Sequence, residues 1–328
     1  MTEQVAKDIY RIRVPLPDNP LRATNSYWIK GEKQELLIDT GFNLPACRSA
    51  LKSALGELGS KRERRAVIAT HMHADHMGLA AGMAGEGQPV YMSQADIDYY
   101  REEVGKQFDE NRFRTIVSEG FPPGELKAAM EINEKRIVRP DGIPSCFKGL
   151  QDGEEIEAGE YRLKLLLVPG HSPGNSMLYE PGRKILFTGD HVLFDISPNI
   201  TSFPGFRNAL GQYLENLRKY RDLEVELALP GHRESGNYRE RVGRLLDHHA
   251  RRLQETGGLV LDHPGMSAYD IAGHMTWNIR SAKGWEDFPL QQKYYAMGEC
   301  LAHLDYLLEE GKIRKEKGGK GIFVYFSS

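Results

Sequence analysis

The stretch on which the interpretation of this chain turns is His71-Met-His73-Ala-Asp75-His76, which directly follows the apolar run Arg-Ala-Val-Ile-Ala-Thr at 65–70. Imidazole nitrogen and carboxylate oxygen are donors that zinc and similar divalent ions accept. If 66–70 is a buried strand, a strand-to-helix turn can point His71 and His73 into one cavity. Asp75 and His76 would then leave from the N-terminus of a helix that begins near Met77. The stretch therefore indicates a metal site.

Three further segments repeat the arrangement of an apolar run that ends at a ligand-type side chain. The run at 163–168 leads to His171, the run at 185–188 leads to Asp190, and the run at 227–229 leads to His232. A glycine stands directly before each of these residues, and we expect it to let the backbone turn sharply. Four separate strand ends with metal-ligand side chains are a stronger signal than one cluster.

The motif His-x-His-x-Asp-His, followed in order by the three later residues, resembles the metallo-β-lactamase superfamily. The resemblance covers about the first two-thirds of the chain. It implies an α+β fold, in which two mixed sheets pack face to face as an αββα sandwich with helices outside. It also implies a two-metal site at one edge of that sandwich.

The resemblance assigns a role to each matching residue. The implied ligands are His71, His73 and His171 for one metal, Asp75, His76 and His232 for the second, and Asp190 between the two. Asp75 is also the expected catalytic residue, because it would orient the attacking water. Asp39, which ends the apolar segment 36–38, matches a family aspartate that supports the ligands from behind. An ordinary turn carboxylate is the alternative for Asp39.

Two divalent ions at close range would lower the pKa of a bridging water from about 15.7 to about 7, so hydroxide would be the nucleophile at neutral pH. Asp190 speaks against a true β-lactamase. Glyoxalase II-type hydrolases share the complete ligand set, so hydrolysis of a thioester or other ester is the first hypothesis. A metal-dependent endoribonuclease of the lactamase-beta-like branch, a lactonase and a non-enzymatic regulator are the alternatives. Zinc is the first choice of metal, and iron or manganese would be tolerated.

The chain is expected to form two domains. Residues 1–240 form the catalytic domain, with a helical insertion at about 94–148 that contains amphipathic helices at 94–104 and 123–133. The insertion is either a packing or dimer element or a wall of the substrate pocket. Residues 241–328 resemble a small winged-helix domain.

Three helices and two strands predict that C-terminal domain. A long charged helix at 241–254 ends at Gly257-Gly258, and a capping-box pattern starts a short helix at Ser267. A third helix covers 290–310, and two short strands surround a glycine-rich tip near 318–321.

The charge of the C-terminal segment argues against nucleic acid as the favoured partner. Residues 241–328 contain 12 Lys plus Arg and 11 Asp plus Glu, and the helix at 290–310 is acidic. Phosphate would repel such a helix from a groove. The five basic residues of the presumed wing leave nucleic-acid contact open: Lys312, Arg314, Lys315, Lys317 and Lys320.

The overall composition is that of an ordinary globular chain. It has 328 residues, 40% of them hydrophobic, and a net charge of −3, and no apolar stretch approaches the roughly 18 residues that span a bilayer. The N-terminus lacks a signal-peptide pattern, and three scattered cysteines, Cys47, Cys146 and Cys300, argue against a disulfide framework. We therefore expect a cytoplasmic protein with a small-molecule substrate and no membrane partner. A homodimer is left open.

Overall fold

The chain divides into two compact units, each with its own core. The computed structural model describes residues 2–103, 106–136, 140–141, 147–277 and 284–328. The first unit contains Met1–Glu102, Ile137–Pro198 and Lys219–Val242, and the second contains Glu103–Arg136, Asn199–Arg218 and Gly243–Ser328. The domain division at residue 240 stays a prediction. By packing, the second unit includes two earlier segments that the sequence did not indicate.

The first unit contains two β-sheets. The seven strands of the larger sheet, in spatial as well as chain order, are β1 (Thr2–Ala6), β2 (Ile9–Pro15), β3 (Ala23–Ile29), β4 (Glu35–Ile38), β5 (Arg65–Ile68), β6 (Val90–Ser93) and β7 (Lys148–Leu150). Strands β1 to β4 pair antiparallel, whereas β4 to β7 pair parallel. The sheet is therefore mixed, as expected.

The smaller sheet has five strands. They are β8 (Glu155–Ala158), β9 (Tyr161–Leu167), β10 (Ser176–Glu180), β11 (Ile185–Gly189) and β12 (Leu227–Pro230), in the spatial order β12-β11-β10-β9-β8. Only β11 and β12 pair parallel. Their carboxyl ends therefore lie together at one edge, which is where the later ligand candidates begin.

The inner faces of the two sheets share one apolar core. Ile38 and Ile68 of the larger sheet belong to the same buried cluster as Leu165 and Phe187 of the smaller sheet. Across the interface, the rings of Tyr27 and Phe187 meet edge to face with centroids 5.3 Å apart, a favourable arrangement for two aromatic side chains. The face-to-face packing of two mixed sheets is therefore confirmed.

Besides the ends of two helices that lie mostly in the second unit, four helices belong to the described part of the first unit. They are α1 (Pro45–Glu57), α2 (Ala74–Met77), α3 (Ala80–Met83) and α4 (Gln94–Glu103). The expected single helix from Met77 is wrong, since two four-residue helices flank Gly78. A Cβ at residue 78 would lie 2.6 Å from the carbonyl oxygen of Gly41. The chain therefore bends where two backbone segments approach too closely for any side chain.

The second unit is mainly helical. Its elements are α5 (Lys106–Ser118), α6 (Pro123–Arg136), the part of α7 (Ala209–Tyr220) up to Arg218, the part of α8 (Tyr238–Asp262) from Gly243, α9 (Ala268–His274), α10 (Leu290–Glu309) and the hairpin of β13 (Ile313–Lys317) and β14 (Phe323–Ser327). Ile116, Phe121 and Leu126 share its core with Leu304 and Tyr325. The segment 103–136 of the predicted insertion is therefore a packing element, and its role toward a substrate stays open.

The expectation that Gly257-Gly258 ends a helix begun at Arg241 is wrong. Helix α8 runs from Tyr238 to Asp262 and continues through both glycines. A glycine inside a helix costs about 1 kcal/mol relative to alanine. Val260, beyond the glycines, is fully buried in the unit's core, and its burial offsets that cost.

The short helix predicted from Ser267 is confirmed. The Ser267 side chain accepts a hydrogen bond from the backbone N–H of Asp270, and the Asp270 side chain accepts one from the Ser267 backbone, which forms a capping box. The helix and the hairpin lie in the expected order, but the winged-helix assignment stays a prediction.

The structure shows the state of two of the three cysteines. Cys47 and Cys300 are buried and free, while Cys146 lies outside the described residues. In the same part of the chain, no helix combines the length and apolar character that crossing a bilayer requires.

A first prediction concerns the packing between the sheets. Phe187 is 1% exposed, so Phe187→Ala leaves a cavity and lowers the free energy of unfolding by about 3–5 kcal/mol. Phe187→Leu, which keeps more of the side chain, should lose less. Denaturant unfolding of the two variants tests this order, and equal stability of wild type and Phe187→Ala would contradict it.

A second prediction concerns a buried histidine pair in the second unit. His249 Nδ1 lies 3.3 Å from His303 Nε2, and both rings are buried. Burial lowers the pKa of His249, and it lowers the pKa of His303 to about 4, where a hydrogen bond to the Glu299 carbonyl opposes the shift. The folded protein therefore favours the neutral rings.

Since the folded-state pKa values lie below the unfolded value of about 6.5, the stability from this pair is present above pH 6.5 and lost as the pH falls toward 4. For His303, the loss is on the order of 3 kcal/mol. Free energies of unfolding at pH 7 and pH 5 test this. His303→Gln should flatten the fall, whereas His263→Gln, at an exposed position, should retain it.

Candidate metal centre

All seven predicted ligands lie together at one edge of the first unit. They follow the carboxyl ends of four strands: β5 for His71 to His76, β9 for His171, β11 for Asp190 and β12 for His232. Their donor atoms form three overlapping groups that could hold metal ions, each within 4.8 Å. The structure thus brings residues from four distant segments into one cluster.

The first group contains three imidazoles. His73 Nδ1 lies 2.9 Å from His71 Nε2 and 2.9 Å from His171 Nε2. In a tetrahedral zinc site with Zn–N bonds of about 2.0–2.1 Å, neighbouring donors are about 3.3 Å apart. These nitrogens therefore have the spacing of donors that share one ion.

The second group contains two imidazoles and a carboxylate. His232 Nε2 lies 3.2 Å from His76 Nε2 and 3.3 Å from Asp75 Oδ2. Asp190 contacts both groups, since its Oδ2 is 3.6 Å from His171 Nε2 and 3.5 Å from His232 Nε2. Its buried Oδ1 has no hydrogen-bond partner among the described residues. This geometry suits a carboxylate shared by two cations.

Hydrogen bonds outside the cluster determine which histidine nitrogens can act as donors to a metal. His232 Nδ1 lies 2.8 Å from the Ala23 carbonyl oxygen, and His76 Nδ1 lies 2.8 Å from Asp39 Oδ2. Both partners only accept, so each Nδ1 carries the proton, and in the neutral ring the Nε2 lone pair points into the cluster.

The tautomer of His71 follows from a hydrogen-bond relay through the Thr70 hydroxyl. Thr70 Oγ1 donates to Asp39 Oδ2 at 2.9 Å, and the same hydroxyl oxygen lies 3.1 Å from His71 Nδ1. Since the hydroxyl proton is directed at Asp39, His71 Nδ1 donates to Thr70, and Nε2 keeps its lone pair. Three of the four predicted metal-binding Nε2 atoms are thus oriented from outside.

Asp39 is central to this outer layer. It is 1% exposed and accepts from the Thr70 backbone N–H at 2.8 Å besides its contact with His76. Its φ of 57° lies in the left-handed region, which aspartate tolerates better than most residues. The carboxylate therefore contacts both ends of the segment 70–76, which carries four of the predicted ligands, as the supporting role requires.

The pKa shifts describe a cluster that attracts cations. Burial opposes a charge on His232, but Asp190 and Asp75 outweigh it and raise the pKa of His232 to about 10. The pKa of His76 is raised as well, because Asp39, Asp190 and Asp75 outweigh burial. Burial and neighbouring histidines instead lower the pKa of His73 to about 3. Protons on His76 and His232 would offset part of the carboxylate charge, and a bound cation must displace them.

Gly231 shows how tightly the second group is packed. A Cβ on this residue would lie 2.5 Å from Asp190 Oδ1 and 2.8 Å from His76 Cε1. Its φ is not positive, unlike that of Gly189 and Gly170. The expected sharp turn therefore explains the other two glycines, whereas Gly231 is needed because no side chain fits.

Two residues that support the ligand-bearing loops were not predicted from the sequence. Thr70 carries the relay to His71, and the fully buried Asp96 accepts a hydrogen bond from the Met72 backbone between two predicted ligands. Neither stands in a ligand motif. Asp96 follows Ser93 by three residues, which has the pattern of a helix capping box and so gives no sign of a site.

Two family models match separate parts of the chain. A family model described as the metallo-beta-lactamase superfamily matches residues 19–232, and one described as the metallo-beta-lactamase-like C-terminal domain matches residues 286–328. The crystal structure of a metallo-beta-lactamase family protein from Thermus thermophilus is similar, with a TM-score of 0.81 and 28% identity. It covers 99% of this chain and 100% of that chain.

Two relatives are informative about chemistry. A probable metallo-hydrolase of Bacillus subtilis (strain 168) is 24% identical over 337 aligned residues, covering 98% of this chain and 98% of that protein. The acyl-coenzyme A thioesterase MBLAC2 of Homo sapiens is 29% identical over 222 residues, covering 63% of this chain and 72% of that protein.

The supporting role of Asp39 generates a third prediction. Asp39→Asn places an amide N–H₂ against Thr70 or His76 donors, and it should lower metal affinity by about 10–100-fold. Asp18→Asn is a matched control, since Asp18 is exposed and has nearly the same φ of 56°. Competition against a chromophoric chelator measures both affinities. Equal metal affinities of the two variants would show that Asp39 does not support metal binding.

Proposed function

The chain belongs to the metallo-β-lactamase superfamily and is a hydrolase of that superfamily, and from this premise we propose that it is a binuclear enzyme that hydrolyses thioesters or other esters. His71, His73 and His171 would hold one divalent cation, Asp75, His76 and His232 the other, and Asp190 both. The contacts of Asp190 to both groups carry the proposal. Zinc suits the donor set best, and elemental analysis of protein purified without added metal tests that choice.

When bound, two divalent cations supply Lewis-acid polarisation of the substrate carbonyl and lower the pKa of water to about 7. The residues of the chain do the rest. His76 and His232 are fully buried, whereas the Asp75 side chain is 14% exposed, and His73 is partly exposed as well. The substrate would therefore approach over His73 and Asp75.

Asp75 has the properties of a group that orients the attacking water. Burial opposes its ionisation, but His76 and His232 outweigh burial and hold the pKa of Asp75 well below its usual range. It therefore stays a carboxylate at neutral pH and can accept a hydrogen bond from water. This supports the catalytic role assigned to it.

The preference for thioesters has support from a relative, the human acyl-coenzyme A thioesterase. The alternative of an endoribonuclease depended on a basic wing. Three of the five wing cations are engaged in ion pairs, Lys312 with Glu310, Arg314 with Glu316 and Lys315 with Glu119. Because these pairs reduce the charge available to phosphate, the described contacts do not favour RNA.

A fourth prediction follows for activity. Metal-loaded protein should hydrolyse an acyl-coenzyme A thioester faster than a lactone or a short single-stranded RNA. Asp75→Asn should lower kcat/KM for the thioester by about 10²–10⁴-fold, because a neutral amide is a weaker ligand for a cation and a weaker hydrogen-bond acceptor for the water than a carboxylate. Asp222→Asn, at an exposed carboxylate paired with Arg239, is the control and should keep full activity.

Side-by-side assays of the three substrates measure these rates. RNA cleavage that is lost in His73→Ala, together with no thioester turnover, would replace the thioesterase proposal with the endoribonuclease. Lactone hydrolysis alone would replace it with a lactonase.

A further inference from the structure

Asp96 is a buried carboxylate on which donors from two ligand-bearing loops converge. It lies in the first turn of α4 and is fully buried. The Met72 backbone N–H donates to Oδ2 at 2.7 Å, the Ser172 hydroxyl donates to Oδ2 at 2.9 Å, and the Gly174 N–H donates to Oδ1 at 2.6 Å. Met72 lies between His71 and His73, and Ser172 follows His171. One carboxylate thus joins the loops that carry the whole first group.

The Asp96 carboxylate can bind both loops because it does not complete a capping box at the start of α4. Ser93 precedes α4, and its hydroxyl oxygen accepts from the Asp96 backbone N–H at 3.2 Å. In a capping box, the acidic side chain would turn back to the backbone of the capping residue. Here the carboxylate points to the loops instead, and the Ser93 hydroxyl donates to the Gly174 carbonyl at 2.6 Å.

The loop after His171 is pressed against the start of α4. A Cβ on Gly174 would lie 2.2 Å from Ser93 Oγ and 2.3 Å from the Asp96 backbone nitrogen. These distances exclude any side chain at position 174. Glycine in the segment His171-Ser-Pro-Gly174 is therefore required for Asp96 to reach the loop backbone.

Hydrogen bonds stabilise the ionised side chain of Asp96. Burial raises the pKa of Asp96 to about 6, while the bonds from Ser172, Gly174 and Met72 oppose that shift, and no Lys or Arg among the described residues is one of its causes. The carboxylate form therefore predominates at neutral pH. A buried anion held only by hydrogen bonds is unfavourable, so its location beside the imidazole loops calls for a reason beyond packing.

We propose that Asp96 is a positioning residue that holds His71, His73 and His171 as one metal-binding set. It sets the affinity for the cation at that set and leaves the set of Asp75, His76 and His232 unaffected. This inference rests on the proposed binuclear site.

Cobalt(II) titration of metal-free protein tests the inference, because the visible absorption of Co²⁺ reports its coordination. Wild type should bind two Co²⁺ ions. Asp96→Asn should bind one with wild-type affinity and the other about 10–100-fold more weakly, since the amide N–H₂ faces one of three donors. Asp98→Asn is the control, at an exposed carboxylate of the same helix, and it should match wild type.

Two ligand variants identify the set that is weakened. His171→Ala removes a ligand of the first set and His232→Ala one of the second, so the spectrum retained by Asp96→Asn should match that of His171→Ala. If Asp96→Asn does not fold, Ser172→Ala removes one of the three donors and should give a smaller weakening at the same set.

The possible outcomes separate this inference from the proposed function. Two ions bound to Asp96→Asn with unchanged affinities and spectra would overturn the positioning role, and so would equal weakening of both sets. Fewer than two Co²⁺ ions bound to wild type would overturn the binuclear site and the inference with it.

Discussion

The structure of the first unit depends on one electrostatic constraint, the burial of several carboxylates and imidazoles at a single sheet edge. Asp39, Asp190 and His76 are almost inaccessible to solvent, and burial of such groups is costly unless opposite charges or hydrogen bonds compensate. The neighbouring carboxylates raise the pKa values of His76 and His232, so a proton on either ring offsets part of this cost. Divalent cations would offset it more completely, so the fold is tied to the chemistry of its site.

The two sheets meet this constraint because their parallel strands end at the same edge. Strands β4 and β5 of one sheet deliver Asp39 and the first cluster, while β11 and β12 of the other deliver Asp190 and His232. The loops then approach so closely that Gly231 has no room for a Cβ. Backbone contacts and outer hydrogen bonds, rather than the ligands alone, therefore set the positions of the donor atoms.

The seven ligand candidates could be predicted from the sequence because each stands in a local pattern, an apolar run followed by a glycine or a ligand motif. The supporting groups could not. Asp96 has the spacing of an ordinary helix cap, and its real partners, Met72 and Ser172, are 24 and 76 residues away. Thr70 likewise ends an apolar run without any motif of its own. Local pattern indicates which atoms could bind metal, but only tertiary contacts reveal what orients them.

The same dependence on tertiary contacts explains the wrongly predicted helix end in the second unit. Gly257 and Gly258 have the local signature of a helix end, yet Val260 beyond them is buried in the unit's core and keeps α8 continuous. The segments 103–136 and 199–218 belong to the same unit as residues 243–328, and the first of them supplies Ile116, Phe121 and Leu126 to its core. Glu119, for example, accepts the Tyr325 hydroxyl at 2.8 Å from a position 206 residues earlier. A buried carboxylate that needs so remote a partner ties the early segment to the late one, and no periodicity in either segment indicates that bond.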